Sequence, residues 1–218
     1  MLLRYINIGI KERVRLMNKF NENEYNDICR KFNSSGNIED VTIRYTQSSY
    51  FNKLKSSIQR DRRGEAVFCV IRPNGRIIAV TCDEYPEGIY RIPTGGIGHN
   101  EDVTSAVFRE VKEELGLAVR VRNFAGIVRI RFEHADDSEM FYSYIFILDE
   151  TGGRLLEDAS DDEIGEVREV SLEELQQIVD SLGKIPGRWK DWGRFRYVTT
   201  NSVLKFLRSE KMYADASV

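Results

Sequence analysis

The stretch GGIGHNEDVTSAVFREVKEELGL, Gly95 to Leu117, decides how the rest of the chain is read. A glycine pair opens it, a helical pattern follows, and Gly116 closes the run. Helical residues turn by about 100° each, so with Glu110 at 0°, Glu113 falls near 300° and Glu114 near 40°. Three carboxylates therefore share one face. Val107, Val111 and Leu115 fall at about 60°, 100° and 140°, an adjacent apolar stripe suited to burial against a sheet. Glu110 and Glu114 are like charges four residues apart and repel by roughly 0.2–0.5 kcal/mol. Stability alone gives no reason to set a third acid between them.

A solvated face is the ordinary use of three glutamates, so their number decides nothing by itself. Hard divalent cations take oxygen ligands, and Mg²⁺ is held by one or two carboxylates together with substrate phosphates. The ridge therefore reads as a Mg²⁺ platform for phosphate chemistry. The spacing sharpens this. The run Gly95-x5-Glu101-x7-Arg109-Glu110-Val111-x-Glu113-Glu114-x-Gly116-Leu117 resembles the Nudix box at every fixed position. The preceding RIPTG, Arg91 to Gly95, is similar to the approach to that box.

The resemblance to the Nudix hydrolases implies an α/β fold, an α/β/α sandwich around a mixed sheet. It implies an enzyme, a pyrophosphohydrolase that cleaves a diphosphate bond in a nucleoside-diphosphate-linked substrate with Mg²⁺, or Mn²⁺ in its place. Glu113 and Glu114 become the principal metal ligands, with Glu110 beside them and the Gly95 carbonyl completing the site. Glu101 and Arg109 brace the loop and helix. The wording GHNE departs from the family's usual Pro-Gly before the first glutamate, and Asn100 tolerates the turn needed there. The general base is a box glutamate or one on a later loop, with Glu133, Glu139 and Glu163 as candidates. The proline that marks ADP-ribose enzymes and the tyrosine that marks dinucleoside polyphosphate enzymes are absent, since Glu133, His134 and Ala135 stand in that region.

Elsewhere the chain is ordinary for a globular protein, with 218 residues, 41% hydrophobic and 31% charged. No apolar run approaches a membrane span, and the start, MLLRYINIGI, is broken by Arg4 and Asn7, so neither membrane nor secretory signal is expected. Cys29, Cys69 and Cys82 are odd in number and lack metal-ligand spacing, which suits free thiols in a cytoplasmic protein. His99 and His134 add no zinc pattern. Residues 1–63 carry 13 Lys and Arg against 7 Asp and Glu, while the rest is acidic and the whole chain has a net charge of −3. That step suggests a small, mainly helical N-terminal appendage, 1–62, before the catalytic domain, 63–218. Its apolar periodicity asks for a partner surface, a substrate pocket or a homodimer contact. Nucleic acid is not expected, and a nucleotide-sensing regulator with a basic arm is the alternative.

In order, Ile10 to Phe20 and Tyr25 to Phe32 read as two short helices joined near Asn21–Asn23. Val41, Ile43 and Tyr45 alternate as a strand, and Phe51, Leu54 and Ile58 give a helix over 48–59. AVFCVI and RIIAVTC flank Pro73-Asn74-Gly75 as a hairpin whose strands are apolar on both faces. Ile89–Ile92 reads as a short strand before the box, and 124–132 and 140–148 as two long ones joined by EHADDSE. Glu166–Val170 is a strand, Ser171 and Glu174 form a capping box for a helix to about Leu182, and a last helix spans roughly Thr199 to Ser209. In PGRWKDWGRFRY, residues 186–197, the commoner use of Trp189 and Trp192 is to anchor the C-terminal helix to the core; the alternative is that they stack on a base while Arg188 or Arg194 holds phosphate. Arg91 and Glu139 are further substrate-binding candidates.

Overall fold

Inner strands that are apolar on both faces make a sheet that needs cover on both sides. The computed structural model describes residues 20–160 and 164–216. In chain order the elements are α1 (Glu22–Lys31), β1 (Ile38–Arg44), α2 (Ser48–Arg60), β2 (Gly64–Ile71), β3 (Ile77–Thr81), β4 (Thr94–Ile97) and α3 (Val103–Glu110). A wide π-helical turn (Val111–Leu115) extends α3, and β5 (Leu117–His134), β6 (Asp137–Gly153), β7 (Glu166–Val170), α4 (Leu172–Leu182) and α5 (Lys190–Ala216) follow. The strands form one sheet in the order β1-β5-β6-β2-β3-β7, with β4 paired to β2. β1–β5 and β2–β6 are parallel, and the remaining pairs are antiparallel.

β2 shows how the layers arise, because every one of its residues is buried. Ala66, Phe68 and Val70 point into one core, with Ile28 of α1 and Val103, Ala106 and Val107 of α3. Val67, Cys69 and Ile71 point into the other, with Phe51 and Ile58 of α2, Leu175 of α4 and Phe195 of α5. The result is the α/β/α sandwich on a mixed sheet that the box implies. The N-terminal elements belong to these layers. β1 pairs with β5 from Ile38↔Ile127 to Arg44↔Glu133. Phe51 and Ile58 are fully buried, each worth about 1.5–3 kcal/mol.

Several local readings hold. Asn21 caps α1 by accepting from Glu24 N at 3.2 Å, and both bonds of the Ser171–Glu174 capping box are present. The helix expected over residues 10–20 lies outside the described residues except for Phe20. Four readings change. EHADDSE is a tight turn rather than a loop, with β5 running to His134 and β6 starting at Asp137. Residues 89–92 form no strand but a single bridge between Arg91 and Val80; the strand is Thr94–Ile97, because pairing with β2 draws the box glycines into the sheet. The π-helical turn ends the regular 100° spacing at Val111. The last helix begins at Lys190, nine residues earlier than expected, because Gly193 is accepted where the chain passes Leu182 closely.

Gly126 is a position where the fold requires glycine. It follows a register shift in β5 and has φ +129°. A Cβ there would lie 2.2 Å from the Asn37 carbonyl oxygen, which already accepts from Ile127 N at 2.7 Å. Gly126→Ala is expected to destabilise the protein by at least about 2 kcal/mol. Urea unfolding would show this as a lower midpoint at unchanged slope, and an unchanged midpoint would refute it.

Candidate active site

β4, the following loop and α3 place the box. Glu101 folds back over the loop and accepts from Gly98 N at 2.9 Å. Asp102 caps α3 by accepting from Ser105 N at 2.8 Å. Two residues before the π-helical segment, Arg109 reaches across. Its Nε and Nη2 donate to the two Glu101 oxygens at 2.7 and 2.9 Å, and Nη2 also donates to the Gly96 carbonyl at 3.0 Å. Its Nη1 donates to Glu110 Oε1 at 2.8 Å and Glu113 Oε2 at 2.9 Å. Gly95 makes room for this. A Cβ there would lie 2.1 Å from Glu110 Cγ, so the Glu110 stem can rest on bare backbone.

The electrostatics follow from these contacts. The hydrogen bonds from Arg109 hold the Glu101 carboxyl below the usual carboxylate range, and the Arg109 guanidinium is raised in turn, chiefly by Glu101. Glu110 moves the other way: burial raises it more than its single bond from Arg109 lowers it. Two things separate them: Glu110 is more deeply buried, and Glu101 receives a two-point fork where Glu110 receives one bond.

The three box acids do not form one equivalent face. Glu113 is 42% exposed in its side chain and joins Glu110 around Arg109. Glu114, after the helix widens, is buried at 5% exposure and lines a cavity of about 370 Å³ with Arg91, Asp83, Glu84 and Tyr85. Arg91 is fixed there by donating to Tyr85 Oη at 2.9 Å, Ile92 O at 3.1 Å and Thr94 Oγ1 at 3.2 Å. Arg188 and Trp189 line a second cavity. Glu139 joins neither of the two cavities; it accepts from Gln59 Nε2 at 3.0 Å. Glu133 is held by Arg44 and Arg131, and Glu163 lies outside the described residues.

The donor set suits a hard divalent ion. Two carboxylate oxygens already share one cationic nitrogen of Arg109, and the box itself offers carboxylate and carbonyl oxygens. Among the described residues no three acidic side chains converge as a ready-made cage. An ion that completes its shell with substrate phosphates and water does not need one.

Two residues that shape the site are absent from the sequence-based expectations. Arg63 donates to the Glu101 carbonyl at 2.7 Å and to both Glu24 oxygens at 2.8 and 2.6 Å, so α1 holds the box loop. Tyr85 joins the two cavities. Nothing in their local sequence marks them.

The NUDIX domain matches residues 61–192, and the chain belongs to the Nudix family of hydrolases. An ADP-ribose pyrophosphatase from Methanocaldococcus jannaschii is 30% identical over 128 residues, spanning 58% of this chain and 73% of that protein. A solved NUDIX hydrolase from Nitrosomonas europaea superposes with a TM-score of 0.49 at 14% identity, over 67% of this chain and 88% of that one. The MutT protein from Methanosarcina mazei gives 0.44 at 17% identity, over 80% and 99%.

The brace on Glu101 has a pH signature. A depressed folded-state carboxyl contributes stability that is full above its unfolded-state value and is lost as pH falls through the lower folded value. The stability difference between wild type and Glu101→Gln is therefore expected to stay level from neutral pH to about 5 and shrink in stronger acid. Urea unfolding at a series of pH values tests this, and a difference that widens in acid would contradict it.

Proposed function

We propose that the chain hydrolyses the diphosphate bond of a nucleoside-diphosphate-linked substrate, with Mg²⁺ or Mn²⁺ at the box. The observation that carries this is the Arg109 clamp, which gathers Glu101, Glu110 and Glu113 beside a cavity holding Glu114 and Arg91. The name of the Methanocaldococcus relative, ADP-ribose pyrophosphatase, supports a substrate of the ADP-ribose kind. The missing proline marker does not argue against this, because Glu133 and His134, which stand in that region, line neither cavity.

Glu113 and Glu114, with Glu110 and the Gly95 carbonyl, would hold the ion. When bound, such an ion neutralises phosphate charge and eases ionisation of water. The chain's own residues do the rest. Arg91 offers a fixed positive charge to the diphosphate. Arg109 keeps like-charged carboxylates in place and ties them to the loop. Hydrolysis joins the water oxygen to one phosphorus, the bridging oxygen leaves with the other phosphate, and a carboxylate takes the water proton. Among the described candidates Glu114 stands at the cavity, whereas Glu133 and Glu139 are tied elsewhere. We assign the proton to Glu114.

Glu114→Gln is expected to lower kcat at least a hundredfold, about 3 kcal/mol of transition-state stabilisation, with thermal unfolding close to wild type. The substrate comes from a panel of ADP-ribose, nucleotide sugars, dinucleotides, NTPs and coenzyme A with Mg²⁺ or Mn²⁺, scored for released phosphates. Wild-type turnover by Glu114→Gln, or no turnover of any panel member by the intact enzyme, would sink the reading.

A further inference from the structure

Beyond Tyr85 lies the second cavity, of about 300 Å³. Tyr85 and Glu84 line both, so it adjoins the space beside Glu114. Its walls are aromatic. The Trp189 and Trp192 rings lie 5.5 Å apart between centroids, and Tyr85 lies 4.4 Å from Trp192. Lys53, Arg62 and Arg188 also line it, which suits a ligand carrying phosphate.

The cavity also holds a buried ion pair. Glu65 is 1% exposed; its Oε1 accepts from Ser143 Oγ at 2.8 Å and its Oε2 from Arg196 Nη1 at 2.9 Å. Arg196 Nε is buried and has no acceptor among the described residues. A buried ion pair gives a fold little that well-packed apolar side chains would not give. Here an N–H donor lacks an acceptor next to a carboxylate that has lone pairs to spare. Anchoring of α5 accounts for packing the two half-buried tryptophans against the core. It does not account for open space between them and a charged pair.

We propose that this cavity is the base subsite, and that it takes the purine of the nucleoside diphosphate. The aromatic rings stack on the base, and Glu65 and Arg196 read its edge. Adenine presents an acceptor, N1, beside a donor, the N6 amino group, which matches the Arg196 Nε–H and a Glu65 oxygen. A fused ring offers more area to the tryptophans than a pyrimidine does, and stacking is worth about 1–3 kcal/mol per base. The inference rests on the diphosphatase reading for the class of ligand, but it can be tested without hydrolysis.

Trp189 and Trp192 are the chain's two tryptophans, so indole fluorescence reports on this cavity alone. With the intact protein, AMP is expected to quench it saturably, UMP to bind at least tenfold more weakly, and ribose 5-phosphate to have no effect. Quenching by AMP no stronger than by ribose 5-phosphate would overturn the base subsite. UMP binding as tightly as AMP would overturn the purine assignment. Glu65→Gln is expected to lower AMP affinity at least tenfold. Should it fold poorly, Trp189→Ala, on a partly exposed turn, gives the same comparison by calorimetry, and undiminished AMP binding there counts against the proposal. The two readings fail separately: saturable AMP quenching without diphosphate turnover keeps the base subsite and removes the diphosphatase, and turnover without AMP binding does the reverse.

Discussion

Three acidic side chains can crowd one loop and one helix only if a cation holds them, and Arg109 is that cation. Its fork goes to Glu101, and its remaining donor reaches Glu110 and Glu113. Without it the mutual repulsion of the carboxylates and the burial of Glu110 would act together to open the helix–loop junction. The bond to the Gly96 carbonyl links the same guanidinium to β4, so the sheet and the acids are fixed relative to each other. Arg63 repeats the device one layer out, joining the loop at the Glu101 carbonyl to Glu24 of α1. Tyr144 donates to that same Glu24 at 3.2 Å, which ties the brace to the centre of the sheet.

The sheet explains why these braces stay aligned. β2 is buried on both faces and pairs with β3, β4 and β6. One of its ends meets the box through Gly95 and Gly96, and Glu65 at that same end lines the aromatic cavity. A single rigid strand thus sets the separation between the acids and the aromatic walls. Sites carried on such strands hold their geometry better than sites carried on loops.

What could be read in the chain was what depends on near neighbours. The box, the capping box at Ser171 and the hairpin around Asn74 are local patterns, and they stand as read. Glu101 and Arg109, eight residues apart, were legible as a brace only through the resemblance to the box, since Glu101 lies before the helix and no periodicity pairs them. The rest depends on residues far apart in sequence. Arg63 meets Glu101 across 38 positions, Ser143 meets Glu65 across 78, and Arg196 meets Glu65 across 131. Neither partner of such a pair betrays the other. Glu65 came nearest to being legible, because a glutamate at the head of a strand that otherwise reads AVFCVI has to find a partner once it is buried. The π-helical turn could not be foreseen, since a helical wheel assumes the spacing that the turn breaks.

The charge step near residue 62 coincides with no gap in packing. β1 completes the edge of the sheet, α1 holds the box loop through Glu24, and α2 gives Lys53, Leu54, Ser57 and Ile58 to the aromatic cavity. Among the described residues, at least Arg63 of this basic set has an internal use, since it joins Glu24 to the box loop. Arg63 is paired with Glu24 and the Glu101 carbonyl, and Lys53 stands exposed at the rim of the aromatic cavity. A core of this size could be closed more cheaply by apolar side chains. At Arg63 the countercharge comes from Glu24 of α1, so the basic residue next to the box loop is neutralised within the fold and its use is to hold that loop in place.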